Sequence, residues 1–355
     1  MPFNMLIINP GSTSTKIAYF KDEEAVFTEI LRHSAEELKP YPTIVSQKDF
    51  RKGIILRFLK EKQLDVKSLD AVVGRGGLVK SIPGGTYIVN DALLRDLEIG
   101  INGQHASNLG GILASEIASE AGCPAYILDP VVVDETLEMT KITGIPEIVR
   151  VPISHPLNQK AVARRYAKEH GRKYEDLDVI VAHMGGGISV GAHHKGQIID
   201  VNNALSGEGP IAPERAGTIP AAALAELCFS GKYSLQEIKS LIYGKGGIYA
   251  LLGTTDIREL VSRAETDEKA AMVLDAFCYQ IARAIGGYAV ILKGKAEAIL
   301  LTGGIAYSEY VTSKIREYVS WIAPVFVYPG EDEMLALAQG GLRCLRGEEA
   351  AKTYV

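Results

Sequence analysis

Two turns in this chain combine glycine with hydroxyl side chains. The first is Asn9-Pro10-Gly11-Ser12-Thr13-Ser14-Thr15-Lys16, and the second runs from His183 through Gly185-Gly186-Gly187 to Ser189. Such turns present main-chain N–H groups and hydroxyls outward, and glycine lets the backbone approach a phosphate closely. Lys16 offers a counter-charge. The first turn is not a Walker A loop, because no glycine precedes the lysine and a strand follows. Either turn alone is a weak signal, since hairpins use glycine anyway. Facing each other, the two would clamp a polyphosphate.

Other polar residues stand on loops at strand ends. Arg75 lies among glycines in Gly74-Arg75-Gly76-Gly77. It reads either as a surface arginine in a turn or as an anion clamp, since a guanidinium binds a carboxylate through two hydrogen bonds. Arg215 sits in a Pro/Gly-rich loop, and Thr302-Gly303-Gly304-Ile305 ends an apolar run where a backbone could lie against a nucleotide. Asp129 follows Tyr126-Ile127-Leu128, the kind of position where α/β proteins bind ligands. His105 and His155 precede helices, and each reads as a helix-start or core residue as readily as a catalytic one. Gly187-Ile188-Ser189-Val190-Gly191 matches the nucleophile elbow on paper, but that motif needs a strand-to-helix turn and a strand hairpin follows here. His193-His194 reads as surface at a hairpin edge rather than as a metal site. No G-x-G-x-x-G occurs, which argues against a standard dinucleotide site.

The elements that must position these residues alternate between strand and helix, which predicts an α/β fold. Apolar runs predict strands at Met5–Asn9, Thr15–Phe20, Ala25–Leu31, Asp70–Gly74 and Pro124–Asp129, with helices near 50–62 and 108–120. A second block has a helix at Pro156–His170, strands at Asp178–Ala182, Ile188–His193 and Gln197–Val201, and later strands at Glu297–Thr302 and Pro324–Tyr328. Gly11-x-x-Ser14 and Gly186-x-x-Ser189 repeat at an offset of 175 residues. Two unrelated β-meanders or a duplicated domain with a cleft between the copies both produce this pattern, and the second changes the whole fold.

Length supports two domains: 355 residues is about twice an ordinary domain. A formal charge of −5 gives no pull toward nucleic acid. The apolar stretch near Ile281–Leu292 is interrupted by Arg283, Gly286 and Gly287, so no membrane span is expected. No targeting segment is visible, and four dispersed cysteines predict reduced thiols in a cytoplasmic protein.

The first glycine turn resembles the N-terminal signature of the acetokinase family, within the superfamily of acetate and sugar kinases, Hsc70 and actin. The run Val151-Pro152-Ile153-Ser154-His155-Pro156-Leu157-Asn158-Gln159-Lys160 resembles the second family signature in its butyrate kinase form. The resemblance covers essentially the full chain. It implies duplicated ribonuclease-H-like (actin-like ATPase) domains with an ATP cleft between them. The expected boundaries are 1–152, with the helix 335–355 packing back on it, and 153–334.

The resemblance also implies roles. Arg75 would hold the substrate carboxylate, with His105 in the same pocket; Asp129, Arg215 and His155 would be catalytic. Ser12, Ser14 and Lys16 would form the first phosphate loop and Gly185, Gly186 and Gly187 the second. Asp256, Arg258, Gly303, Gly304 and Ile305 would contact the nucleotide, and Asn9 and Glu333 would accompany magnesium. The implied reaction is Mg²⁺-dependent, reversible phosphoryl transfer between ATP and a short-chain fatty acid, giving an acyl phosphate and ADP, in a homo-oligomer of two or more copies. Gly186 and Ser308 stand where acetate kinases have Asn, and Ile257 where they have an aromatic residue, which argues for a four-carbon acid, butyrate or isobutyrate, over acetate. Alternatives are a propionate or acetate kinase and an actin-like or chaperone-type ATPase. A carboxylate nucleophile is already ionised at neutral pH, so Asp129 is expected to orient Arg75 or a metal-bound water rather than take a proton.

Overall fold

Apolar β-branched runs build the strands of this protein, whose computed structural model describes residues 1–355. In chain order the strands are β1 (Asn4–Pro10), β2 (Ser14–Lys21), β3 (Glu24–Arg32), β4 (Ala71–Arg75), β5 (Thr86–Ile88) and β6 (Ala125–Leu128). They continue with β7 (Asp178–Met184), β8 (Ile188–His194), β9 (Gln197–Val201), β10 (Ala298–Gly303), β11 (Val325–Pro329) and β12 (Lys352–Thr353).

The chain divides into two compact units. Unit 1 comprises Met1–Val133 and Asp332–Val355; unit 2 is Asp134–Glu331. Unit 1 holds a seven-stranded sheet in the order β12-β5-β6-β4-β1-β2-β3, and unit 2 a five-stranded sheet in the order β11-β10-β7-β8-β9. Each has a hairpin-linked antiparallel trio, and its first strand pairs in parallel with a later one. The order β3-β2-β1-β4-β6 in unit 1 is therefore repeated as β9-β8-β7-β10-β11 in unit 2. β1 and β7 are both seven residues long, and their starts are 174 positions apart. This is one fewer than the Gly/Ser pairs suggest, so Gly185 rather than Gly186 is the counterpart of Gly11.

Both faces of each sheet are covered, which explains why the central strands read as unbroken apolar runs. In unit 1, Leu6 and Ile8 pack with Ile55, Leu109 and Ile112 on one face. On the other, Gly341 of the helix Glu333–Leu345 approaches Met5 and Val73. In unit 2, Ile180 and Ala182 join the cluster containing Phe277 and Ile281 of the helix Glu268–Ile291. Val179 and Val181 instead meet Val162 and Tyr166 of the helix Pro156–Glu169.

The first division falls at 133/134, whereas the sequence pointed to 152/153. The intervening segment is fastened to unit 2 by polar contacts that a pattern of apolar residues does not reveal. Arg150 donates to Asp200, Glu208 and the carbonyl of Val201. Glu135 pairs at 2.8 Å with Lys160, and both side chains are buried. The second division, at 331/332, places Glu333 in unit 1.

Candidate active site

In unit 1, three adjacent parallel strands bring three predicted site residues to one edge. The register aligns Ile8 of β1 with Gly74 of β4, and Arg75 with Leu128 of β6. Asn9, Arg75 and Asp129 therefore stand at neighbouring carboxyl ends. Gly74 makes this possible: a Cβ there would lie 2.1 Å from the Gly110 carbonyl oxygen, and one on Gly110 would lie 2.2 Å from that of Arg75. The helix Asn108–Ala121 thus rests directly on the strand end that carries Arg75.

Glu333 completes this cluster. Arg75 Nη1 donates to Glu333 Oε2 at 3.1 Å and to Asn9 Oδ1 at 3.4 Å, and Nη2 lies 3.0 Å from Glu333 Oε1. Asn9 Nδ2 donates to Glu333 Oε2 at 2.7 Å. The carboxylate in the guanidinium fork is thus Glu333, which orients Arg75. Asp129 is buried with φ 37°, a backbone conformation that costs energy for any residue but glycine and is found at functional sites. Its Oδ1 accepts from the Gly85 N–H at 2.6 Å. His105 Nδ1 accepts from the Ser107 N–H at 3.2 Å, so a neutral His105 carries its proton on Nε2. Partial burial, and then the positive charge of Arg75, lower its pKa.

The first glycine turn closes through Gly11 N–H to the Ser14 carbonyl at 2.8 Å, leaving Ser12 exposed. Lys16 lies directly across from Asn9. Behind the turn is a residue the sequence reading missed. Arg51 has no exposed surface, and its guanidinium donates to the carbonyls of Gly11, Ser12 and Ser14, to Thr15 Oγ1 and to Gln47 Oε1. Every partner is a neutral oxygen, and burial pulls its pKa down to about 10. The signal was present: Arg51, Ile55 and Leu59 recur at helical spacing on one buried stripe.

Magnesium takes an octahedral shell of oxygens and commonly uses one or two carboxylates together with phosphate oxygens and water. Asn9 and Glu333, in mutual contact, offer an amide oxygen and one carboxylate. That donor set fits an ion held mainly by nucleotide phosphates. No group of three or more His, Cys, Asp or Glu is arranged to hold a metal unaided.

Unit 2 contains a cavity of about 880 Å³ whose lining includes Gly185, Gly186, Asp256, Arg258, Gly304 and Ile305. Six of the eight residues expected at the nucleotide in this half therefore meet in one space. Gly303, with φ 89°, ends β10 where a Cβ would lie 2.3 Å from the Met184 carbonyl oxygen. Gly187 is overlaid by Arg215: a Cβ on Gly187 would fall 1.6 Å from Nη1 of that arginine. Arg215 also donates to the Ala204 carbonyl at 2.6 Å, and burial lowers its pKa. Asp256 caps the helix Ile257–Arg263 and accepts two hydrogen bonds from the Arg258 side chain, which hold its carboxyl down at about 2.

His155 stacks on His183, with ring centroids 3.9 Å apart and planes 15° from parallel. His183 is buried at the root of the second glycine turn, its Nε2 3.1 Å from where a Cβ of Gly185 would be. His193, expected at the surface, is fully buried between Tyr174 and Gln159, because the strand that carries it is covered on both faces.

The acetokinase family model matches residues 148–352. Butyrate kinase 1 of Clostridium acetobutylicum is 58% identical over 353 residues, which is 99% of both chains. The chain belongs to the acetokinase family. Butyrate kinase 2 of the same organism is 56% identical over the full length of both chains. Among solved structures, the acetate kinase of Porphyromonas gingivalis has a TM-score of 0.80 at 18% identity, covering 96% of this chain and 99% of its own. A propionate kinase from Francisella tularensis has a TM-score of 0.76, also at 18% identity, covering 95% and 98%. These likenesses establish the shared fold, two α/β units with a repeated strand order. No helix in this family member is long and apolar enough to cross a membrane.

Proposed function

We propose that this protein is a butyrate kinase, a phosphotransferase that moves the γ-phosphoryl group of ATP to the carboxylate of a four-carbon acid, reversibly. The observation that carries this reading is 58% identity, over 99% of both chains, with a protein named butyrate kinase. The site chemistry agrees. A carboxylate oxygen attacks the γ-phosphorus, the bond from that phosphorus to the β–γ bridging oxygen breaks, and ADP leaves. A carboxylic acid with a pKa of about 4 needs no general base at neutral pH. Catalysis therefore rests on positioning and on stabilising charge at the equatorial oxygens.

Arg75, now paired with Glu333, aims the incoming carboxylate, with His105 beside it. Arg215 and His155 donate to the transferring group. Asp129 positions neighbouring groups and takes no proton. Ser12, Ser14, Lys16 and the turn Gly185–Gly187 receive the phosphates; Asp256, Arg258 and Gly303–Ile305 receive the nucleoside. Asn9 and Glu333 would hold magnesium, which would neutralise charge on the phosphoryl oxygens. The same reading puts the enzyme in the cytoplasm as a homo-oligomer. The apolar helix Ala221–Phe229, none of whose residues is buried, supports assembly.

Acyl phosphate formation measured across acids of two to five carbons tests the assignment. Four-carbon acids are expected to give the highest kcat/KM. One methylene in an apolar pocket is worth about 1–3 kcal/mol, so neighbouring acids should still react. A preference for acetate overturns the reading, as does ATP hydrolysis indifferent to added acid.

A further inference from the structure

Five side chains of unit 2 form a continuous hydrogen-bonded chain that ends on His155. Tyr174 Oη lies 2.7 Å from His193 Nδ1, and His193 Nε2 lies 2.9 Å from Gln159 Oε1. Gln159 Nε2 lies 2.7 Å from Ser189 Oγ, and Ser189 Oγ lies 2.8 Å from His155 Nδ1. The three middle members, His193, Gln159 and Ser189, have no exposed surface.

The polarity of this chain is fixed by one main-chain atom. Gln159 also contacts the backbone carbonyl oxygen of Ser189, at 3.2 Å. A carbonyl only accepts, so the group facing it is the amide NH₂, and the Gln159 oxygen faces His193. His193 must then donate from Nε2. Burial, and after it the charges of Lys160 and Arg164, hold its pKa well below the ordinary value, so it is neutral and its Nδ1 accepts from Tyr174. At the other end, Ser189 Oγ accepts from Gln159, and the Nδ1 of His155 is the acceptor within reach of its hydroxyl proton. Every donor in the chain points toward His155, and aligned hydrogen bonds reinforce one another in a low-dielectric interior.

We infer that Gln159 and Ser189 are positioning residues that lock His155 as the Nε2–H tautomer, so that its proton faces the transferring phosphoryl group. With a proton on Nδ1, Ser189 Oγ would accept from both Gln159 and His155, and its own hydroxyl proton would be left without an acceptor in a buried site. The tautomer follows from the geometry alone; its catalytic purpose rests on the kinase reading above.

The test is ¹⁵N NMR of the full-length protein labelled at histidine, with the His155 signals identified by their loss in His155→Gln. The wild type should show Nε2 protonated and Nδ1 bare. Ser189→Ala should mix the two tautomers and lower kcat about three- to tenfold, the net worth of one hydrogen bond, with KM for ATP and acid unchanged. Ser189→Thr, which keeps the hydroxyl, should restore the wild-type signature. A proton on Nδ1 in the wild type overturns the inference, and that measurement does not depend on the Ser189 variants folding. So does a tautomer indifferent to Ser189→Ala. If the wild type has the expected tautomer but phosphorylates no acid, the kinase reading falls and the lock stands.

Discussion

Arg51 shows how a fully buried side chain shapes a glycine turn from behind. Its guanidinium gathers three carbonyl oxygens of the first glycine turn on the inner side. Lysine has the charge but lacks the planar fork, so Arg51→Lys abandons several of these bonds at once. The expected result is a loss of about 2–3 kcal/mol in stability, read by urea unfolding, together with a raised KM for ATP. An unchanged KM for ATP would mean that the arginine serves folding alone. Asp129→Asn keeps an acceptor for Gly85 and removes the charge. It should lower kcat roughly 10- to 100-fold without moving the acidic limb of the pH–rate profile. Activity recovered simply by raising the pH would make Asp129 a proton acceptor after all. At this scale the sequence was legible where residue type and strand-end position spoke together, as at Asn9, Arg75 and Asp129. It was silent on the pairing of Arg75 with Glu333, because 258 positions separate them and only the closing helix brings them together.

Among elements, the helix Asn108–Ala121 has a closer grip on the site than its distance in sequence suggests. Gly110 lies against the backbone oxygen of Arg75, and no side chain fits between. Gly110→Ala must push helix and strand apart. The cost should be about 1–3 kcal/mol of stability, and KM for the acid should rise more than KM for ATP, because the displaced strand end carries Arg75. Equal effects on both substrates would argue against this coupling. The strands were readable because sheets covered on both faces demand unbroken apolar runs. The segment 134–152 was not, since polar contacts such as those of Arg150 fix its allegiance. The edge strand β12, two residues long, leaves no periodicity to detect.

On the scale of the molecule, the offset between glycine turns was the most informative single feature. It pointed to a duplication that the two strand orders bear out. The cysteines offer an independent check of the packing. Cys228 is exposed, while burial pushes Cys278 up to about 12 and Cys123 to about 11, and raises Cys344. A thiol reagent should therefore modify one cysteine quickly in the folded protein and all four after unfolding. A fast phase that survives Cys228→Ser would contradict the structure.

The two units also differ in how the chain completes them. Unit 2 is one uninterrupted stretch, Asp134–Glu331, whereas unit 1 needs both the opening residues and Asp332–Val355. During synthesis, unit 2 has all its residues before unit 1 does, and the first sheet waits for the helix that covers its second face. Glu333 arrives on that helix. The ion pair that sets Arg75 therefore cannot form during synthesis until unit 2 has been completed and Glu333 has followed it.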